Sequence, residues 1–408
     1  MAKKTTKKDT TIKKSDVKKV EKAIKKASKS KYFGVLVVIV IIMIAAFAIY
    51  CYFNPEIYNA LFNKGGEPLR EKDNQIKYYT SSHNCAEGSD IQDVKIHMVD
   101  VGQGDAIIIQ LPDYSNVLID AGPTKNHQAL LDYANNLEIN TFDVVLITHS
   151  DEDHVGGMDE IFENFEVKNV YRPFVLSNND DYKFATGFNQ GKKEHNTVSY
   201  AKVLTSIYNE TYLEDNQNYY CNWEFFNADS GFSRDIVVGS EIYEYKFDFL
   251  TPTKNFEDIT YSDLNDFSPY VLFTYGKKDA IAGSDRFDML FTGDAEAEAL
   301  EELLDAYSND SLDVDVLKVG HHGSRTSTTT DFIDKIKPED ALISCGTGNS
   351  YKHPHKDVLD ILIENQVKIW RTDLQEDIVV SVSELGSYSI SYTATSFDSS
   401  KLFTGGDQ

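Results

Sequence analysis

Spacing of apolar and polar residues divides the chain into one apolar block near its start and a long region where strand-like and helix-like periods alternate. The run from Tyr32 to Phe53 carries no charge and is long enough to cross a hydrocarbon core of about 30 Å. It predicts a single transmembrane anchor. A cleaved signal fits less well, because the run exceeds the usual apolar region of about 7–15 residues and no small-x-small site closes it. Residues 54–91 hold no sustained period and read as a linker. Short apolar runs at Val94–Met98, Ala106–Leu111 and Asn116–Asp120 then predict three strands, a meander at a sheet edge. A helix at His127–Leu137, a strand over Val144–Ile147, a helix at Val155–Phe165 and a strand near Val170 follow. Strands resume at Tyr245–Leu250, Tyr270–Thr274, Met289–Thr292, Val314–Val319 and Ala341–Cys345, and the domain closes on Ile369–Asp373 and a hairpin of Ile378–Val382 with Tyr388–Tyr392. This alternation is the α/β pattern.

Between them, residues 172–240 are rich in Asn, Tyr and Asp and read as an insertion with one helical stretch, Ser199–Tyr208. Its aromatics Tyr219, Tyr220, Trp223, Phe225 and Phe226 suit the core of that insertion or a surface on which bases stack. Residues 396–408 read as a flexible tail. The expected organisation is therefore an arm (1–31), an anchor (32–53), a linker (54–91), one catalytic domain (92–395) and the tail.

Charge sharpens this division. The formal net charge is -25, yet residues 1–31 are crowded with lysine against only Asp9, Asp16 and Glu21, so the rest is more acidic still. By the positive-inside rule the arm lies in the cytoplasm and everything after Phe53 outside. An acidic body excludes a sequence-reading DNA binder built on a basic face. Four cysteines (Cys51, Cys85, Cys221, Cys345) are too few for a disulfide-built fold. Cys85 and Cys221 are either a pair or two unrelated thiols, and Cys345 is simplest as a core residue.

The chemistry concentrates in THSDEDHVGG, Thr148 to Gly157. His149, Asp151, Asp153 and His154 fall within six positions after a buried strand. Helix capping and the macrodipole account for the acids but for neither histidine, so the segment reads as a strand-loop-helix metal cradle. Further candidates stand at strand ends: Asp100 and Asp105 in VDVGQGDA, Asp120 in LIDAG, Asp294 in LFTGDAE, His321 and His322 between glycines, and His353 in SYKHPH. One of His321 and His322 could ligate a metal and the other donate to a phosphoryl oxygen; the sequence leaves open which. Arg371 suits an ion pair or an anion contact.

The cradle resembles the HxHxDH signature of the metallo-β-lactamase superfamily, with Asp151 where the second histidine stands. The stretches HMVDVGQGDAIII, VLIDAG, LFTGDAEAEAL, VLKVGHHGSRTS and SYKHPHKDVL resemble, in order and wording, the hydrolase domain of ComEC-type competence proteins, which take up DNA. The likeness covers about residues 92–395 and not the multi-spanning channel of those proteins. It implies a four-layer αββα sandwich holding two divalent ions. Metal ligands would be His149, Asp151, Asp153, His154, Asp294 as the bridge, and His353. Asp100, Asp105 and Asp120 would stand behind or beside them. Asp153, Asp294, His321 and His322 would carry catalysis, with a metal-bound hydroxide attacking phosphorus. Asp151 in place of histidine hardens one site towards manganese or magnesium rather than zinc. No clear counterpart exists for the superfamily histidine between the cradle and the bridging aspartate, His195 being a weak one. The implied activity is an extracellular, membrane-anchored phosphodiesterase, DNA being the first substrate class and competence machinery a partner. A small or cell-wall phosphodiester, such as a teichoic-acid headgroup, and a metal-stabilised binding module without catalysis are the alternatives.

Overall fold

In the computed structural model the strands, in chain order, are β1 (Tyr79–Cys85), β2 (Val94–Met98), β3 (Ile107–Gln110), β4 (Asn116–Ile119), β5 (Thr141–Phe142), β6 (Val144–Leu146), β7 (Glu166–Val167), β8 (Asn169–Arg172) and β9 (Asn222–Phe225). They continue as β10 (Gly231–Val238), β11 (Glu241–Phe249), β12 (Val271–Lys277), β13 (Arg286–Phe291), β14 (Val316–Lys318), β15 (Asp340–Ile343), β16 (Lys368–Arg371), β17 (Ile378–Val382) and β18 (Tyr388–Tyr392). The helices are α1 (His127–Asn136), α2 (Glu152–Val155), α3 (Met158–Asn164), α4 (Val198–Tyr212), α5 (Ala297–Ala306), α6 (Thr330–Ile336), α7 (Lys356–Glu364) and α8 (Thr372–Gln375). The structure describes residues 79–85, 92–175, 197–212, 221–228, 230–238, 240–255, 258–278, 285–308 and 312–406. The anticipated arm and membrane anchor, His195, Tyr219 and Tyr220 lie outside them. Among the described residues no helix is long and apolar enough to cross a membrane.

Two large sheets form, in the orders β1-β10-β11-β12-β13-β14-β15-β16 and β18-β17-β2-β3-β4-β6-β8-β9. Alternate side chains explain why they stack. Val94, Ile96 and Met98 of β2, Tyr243, Tyr245, Phe247 and Phe249 of β11, and Phe273 and Tyr275 of β12 share one buried core between the sheets. The opposite faces bury apolar helix stripes. Ile108, Leu118, Val145 and Val170 meet Leu130 of α1, Ile161 of α3 and Leu204 of α4. Leu317, Ala341 and Ile369 meet Leu303 of α5, Phe332 of α6 and Leu359 of α7. Three cores between four layers make an αββα sandwich.

Several sequence expectations are corrected. The β2-β3-β4 meander is central, because β17 pairs antiparallel with β2 and carries β18 outside it. The expected linker contains β1, which pairs parallel with β10. The supposed insertion supplies parts of the sandwich itself: β9 extends one sheet, β10 lies inside the other, and α4 packs on the outer core. Phe226 is buried between the sheets and Trp223 packs against the outer core, so the packing reading of these aromatics holds. The tail from 396 is held in place: Arg371 Nη1 donates to the carbonyls of Lys401 and Thr404 at 3.0 and 2.8 Å, and Gly406 N–H to that of Pro354 at 3.0 Å. Arg371 also grips Asp373 with two bonds, at 3.0 and 2.8 Å, which is the structural ion pair among its two readings. Cys345 is buried in the core beside α7; pairing of Cys85 falls outside what is described.

Phe247 stacks on Phe232 with ring centroids 4.4 Å apart and touches Phe273 at 4.8 Å. Phe247→Ala should cost about 3–5 kcal/mol in urea unfolding, and a loss under about 1 kcal/mol would contradict the placement of this core.

Candidate metal centre

The candidate residues gather where parallel strands end. β4 and β6 are parallel neighbours, as are β13, β14 and β15, and the carboxyl ends of parallel strands are where open α/β sheets place their ligands. β4 delivers Asp120, β6 delivers His149 through His154, β13 delivers Asp294, β14 delivers His321 and His322, and the loop after β15 delivers His353.

The backbone there is tightly fitted. Asp120 has φ 58°, and Ala121 N–H donates to His154 O at 2.7 Å. Gly104, at φ +141°, lies so close to the Asp153 carbonyl that a Cβ would collide with it. That contact lets the GQGD loop lie flat on the cradle. A Cβ on Gly156 would likewise strike the backbone of Thr124, and the helix expected at 155–165 is split there into α2 and α3. Both His321 (φ 48°) and His322 (φ 54°) hold left-handed backbone, which is unfavourable for residues with a Cβ.

Four of the imidazoles are held from behind by Nδ1. His154 Nδ1 donates to Asp120 Oδ2 at 2.7 Å, and His322 Nδ1 to the Ser344 carbonyl at 2.8 Å. His321 Nδ1 donates to Glu296 Oε1 at 2.7 Å. Thr148 Oγ1 donates to Asp120 Oδ2 at 2.6 Å and therefore accepts from His149 Nδ1 at 3.1 Å. These partners fix which nitrogen carries the proton, and leave four Nε2 atoms turned towards Asp294. His154 lies 3.2 Å from its Oδ1, while His322, His321 and His149 lie 3.3, 3.8 and 4.0 Å from its Oδ2. Asp153 Oδ2 is 3.4 Å from His322 Nε2.

Among the described residues the front of this set lacks partners. His149 Nε2, Asp294 Oδ1 and His353 Nδ1 are buried without a hydrogen bond, and the Nε2 atoms of His154 and His322 face each other at 3.2 Å. Two lone pairs at that distance repel unless a cation or proton lies between them. Donor atoms of Asp105, His154, Asp294 and His322 all lie within 4.8 Å of one another, a buried nitrogen and oxygen set suited to a divalent cation.

Electrostatics follow the same plan. Burial, then repulsion from His154, holds the His149 imidazole neutral down to about 3; burial, then His321 and His322, does the same for His353, also to about 3. Burial works hardest against charge on His154 and His322, but the carboxylates around them, Asp294 first, with Asp120 beside His154 and Asp105 and Asp153 beside His322, together outweigh it and raise both. Burial and the neighbouring Asp153 push Asp151 up to about 6.

The remaining candidates separate. Asp151 occupies the cap position of α2 without using its side chain there, so capping does not explain it. Asp294 precedes the cap of α5, which is Glu296. His322 is enclosed within the cluster, whereas His321 is 21% exposed at its mouth. His353 stacks edge-on to His321 at 5.3 Å. Asp100 instead accepts from Gly102 N–H at 2.9 Å and serves its own turn. Glu296, Thr148 and Ser344 were not singled out from sequence; Glu296 lies three positions past the glycine of LFTGDAE, where an acid at a helix start reads as ordinary. Lys318 is 1% exposed and bound to Asp105 at 2.6 Å.

The αββα sandwich with this centre at its strand ends is a metallo-β-lactamase fold, and residues 99–192 match the Metallo-beta-lactamase superfamily profile. The chain is a metallo-β-lactamase-fold protein resembling the ComEC-type competence proteins. It is 27% identical over 296 residues to ComE operon protein 3 of Bacillus subtilis (strain 168), covering 68% of this chain and 32% of that protein. It is 40% identical over 86 residues to Competence protein ComA of Neisseria gonorrhoeae (21% and 12%), and 42% identical over 74 residues to Recombination protein 2 of Haemophilus influenzae (18% and 9%). The chain thus spans about a third of the first relative's length and less of the others.

A divalent cation that fits this set binds the folded state selectively. Manganese or zinc added to chelator-stripped protein should raise Tm in a concentration-dependent way, by a margin that Asp294→Asn removes. An unchanged Tm across millimolar additions, about 1,000 times a micromolar Kd, would mean the four imidazoles hold no cation.

Proposed function

We propose that this chain is a metal-dependent phosphodiesterase acting on nucleic acid, DNA first, with its catalytic domain outside the cell and its anchor at residues 32–53. The convergence of four imidazole Nε2 atoms on the buried Asp294, within 4.0 Å, carries the metal part of this reading. His149, His154, His322 and Asp294 would hold the cations, with Asp151, Asp153 and His353 as further donors. His322 comes from beyond Asp294 in the chain, and supplies an imidazole the sequence left missing between the cradle and that aspartate. Bound divalent ions supply Lewis acidity and an activated water for in-line displacement at phosphorus.

The chain's own groups do the rest. Asp120 and Thr148 orient His154 and His149, and so keep the donors where they need no rearrangement. Glu296 holds His321 at the mouth with Nε2 inward, where it can hold a proton for the departing oxygen. Beside it Tyr351 is 62% exposed and its ring stacks on His353 at 5.7 Å. The Asn349 amide braces that turn, donating to Gly346 O and His353 O at 2.9 and 2.7 Å. A fixed, exposed aromatic beside the centre suits a nucleobase, which favours nucleic acid over a cell-wall diester. The similarity to competence proteins points the same way.

The test is hydrolysis of single-stranded DNA and of bis(p-nitrophenyl) phosphate by the manganese-loaded protein. DNA turnover should fall steeply with added salt while the small diester is hardly affected, and Asp294→Asn should lose more than about 100-fold on both, the larger end of ligand-partner effects. Turnover of the small diester alone would support the cell-wall reading. Tight metal uptake without any turnover would leave a binding module. For the orientation, protease added to intact cells should remove everything past residue 53, and protection of the domain would reverse it.

A further inference from the structure

Asp105, one of the four grouped donors, also carries an ion pair on the side away from the other three. Lys318 ends β14 in one sheet and Asp105 precedes β3 in the other; Nζ and Oδ2 lie 2.6 Å apart, with exposures of 1% and 2%. Lys318 Nζ also donates to the Val319 carbonyl at 3.0 Å. Well-packed apolar side chains would join the two sheets at least as firmly, since burying both charges costs about what their attraction returns. The other oxygen of Asp105, Oδ1, makes no hydrogen bond among the described residues and lies 3.4 Å from His322 Nδ1, an electrostatic contact with the nitrogen that donates to Ser344 O. Ser344 Oγ in turn donates to Gly104 O at 2.6 Å, and Asp105 N–H donates to Asp153 O at 3.2 Å. The backbone of Asp105 is thus pinned to the cradle, and Lys318 sets the remaining freedom of its carboxylate.

We propose that Lys318 is a positioning residue for the centre: by fixing Asp105, it keeps His322 with Nδ1 protonated and Nε2 turned to Asp294, despite that residue's left-handed backbone. The proposal rests on the reading of His322 as a cation donor. It assigns to the GQGD loop and to the lysine before the paired histidines one joint task, alignment of a single ring across the interface of the two sheets.

The double variant Lys318→Met/Asp105→Leu removes both charges and leaves apolar bulk. Manganese would be titrated calorimetrically into the chelator-stripped full chain in detergent, with metal-free Tm measured alongside. The expected result is a Kd about 10–100-fold weaker at a metal-free Tm within a few degrees of wild type, and no additional loss when His322→Ala is added. Wild-type Kd in the double variant overturns the proposal and leaves the metal reading standing; no manganese binding by the wild type overturns both. Should the double variant not fold, Asp105→Asn keeps the shape and gives the same comparison, with the His322 tautomer read from its ring 15N shifts; an unchanged tautomer and Kd overturn the proposal.

Discussion

Crowding of ring nitrogens and carboxylate oxygens into one dry space is what the rest of the structure has to contain. The facing Nε2 atoms of His154 and His322 and the carboxylate of Asp294 sit together only with protons or a cation among them. They are kept together because every ring is gripped at its back, by Asp120, Thr148, Glu296 or Ser344. Polar groups buried in this way are stabilised only when something fills the front. Burial of this centre is offset either by protons on His154 and His322, which the surrounding carboxylates favour, or by a divalent cation that its donors are suited to hold.

The sandwich makes such an arrangement affordable. Three separate apolar cores, one between the sheets and one under each helical layer, supply the stability that offsets a polar cluster at one rim. The cluster occupies only strand ends, where backbone groups leave the ladder and turn-forming residues are tolerated. The chain as a whole carries a formal net charge of -25 even with its lysine-rich first 31 residues included, so the body around this rim is acidic.

Much of this was legible in the chain. Short apolar runs located β2, β3, β4, β6 and β13 to within a residue or three, because buried strands leave few alternatives. The dense His and Asp spacing of the cradle located its centre, since local sequence supplies those donors together. Three things were not legible. The role of β9 and β10 escaped because β9 is a half-exposed edge strand and β10, though interior, interrupts its apolar residues with Ser233, Arg234 and Asp235. The order of the sheet escaped because β17 joins β2 across 280 residues of chain, Asp100 to Asp377 being 277 apart. The difference between His321 and His322 escaped because it arises from two left-handed residues turning adjacent rings to different partners, which no period in the sequence records.

Contacts that close the centre are also very distant in sequence: His154 to His322 spans 168 positions, and Ser344 to Gly104 spans 240. While ribosomes are still adding β14 and β15, the cradle has emerged but its opposing donors have not. A half-made chain therefore lacks half of the grouped donors, and the complete set exists only after both sheets have closed.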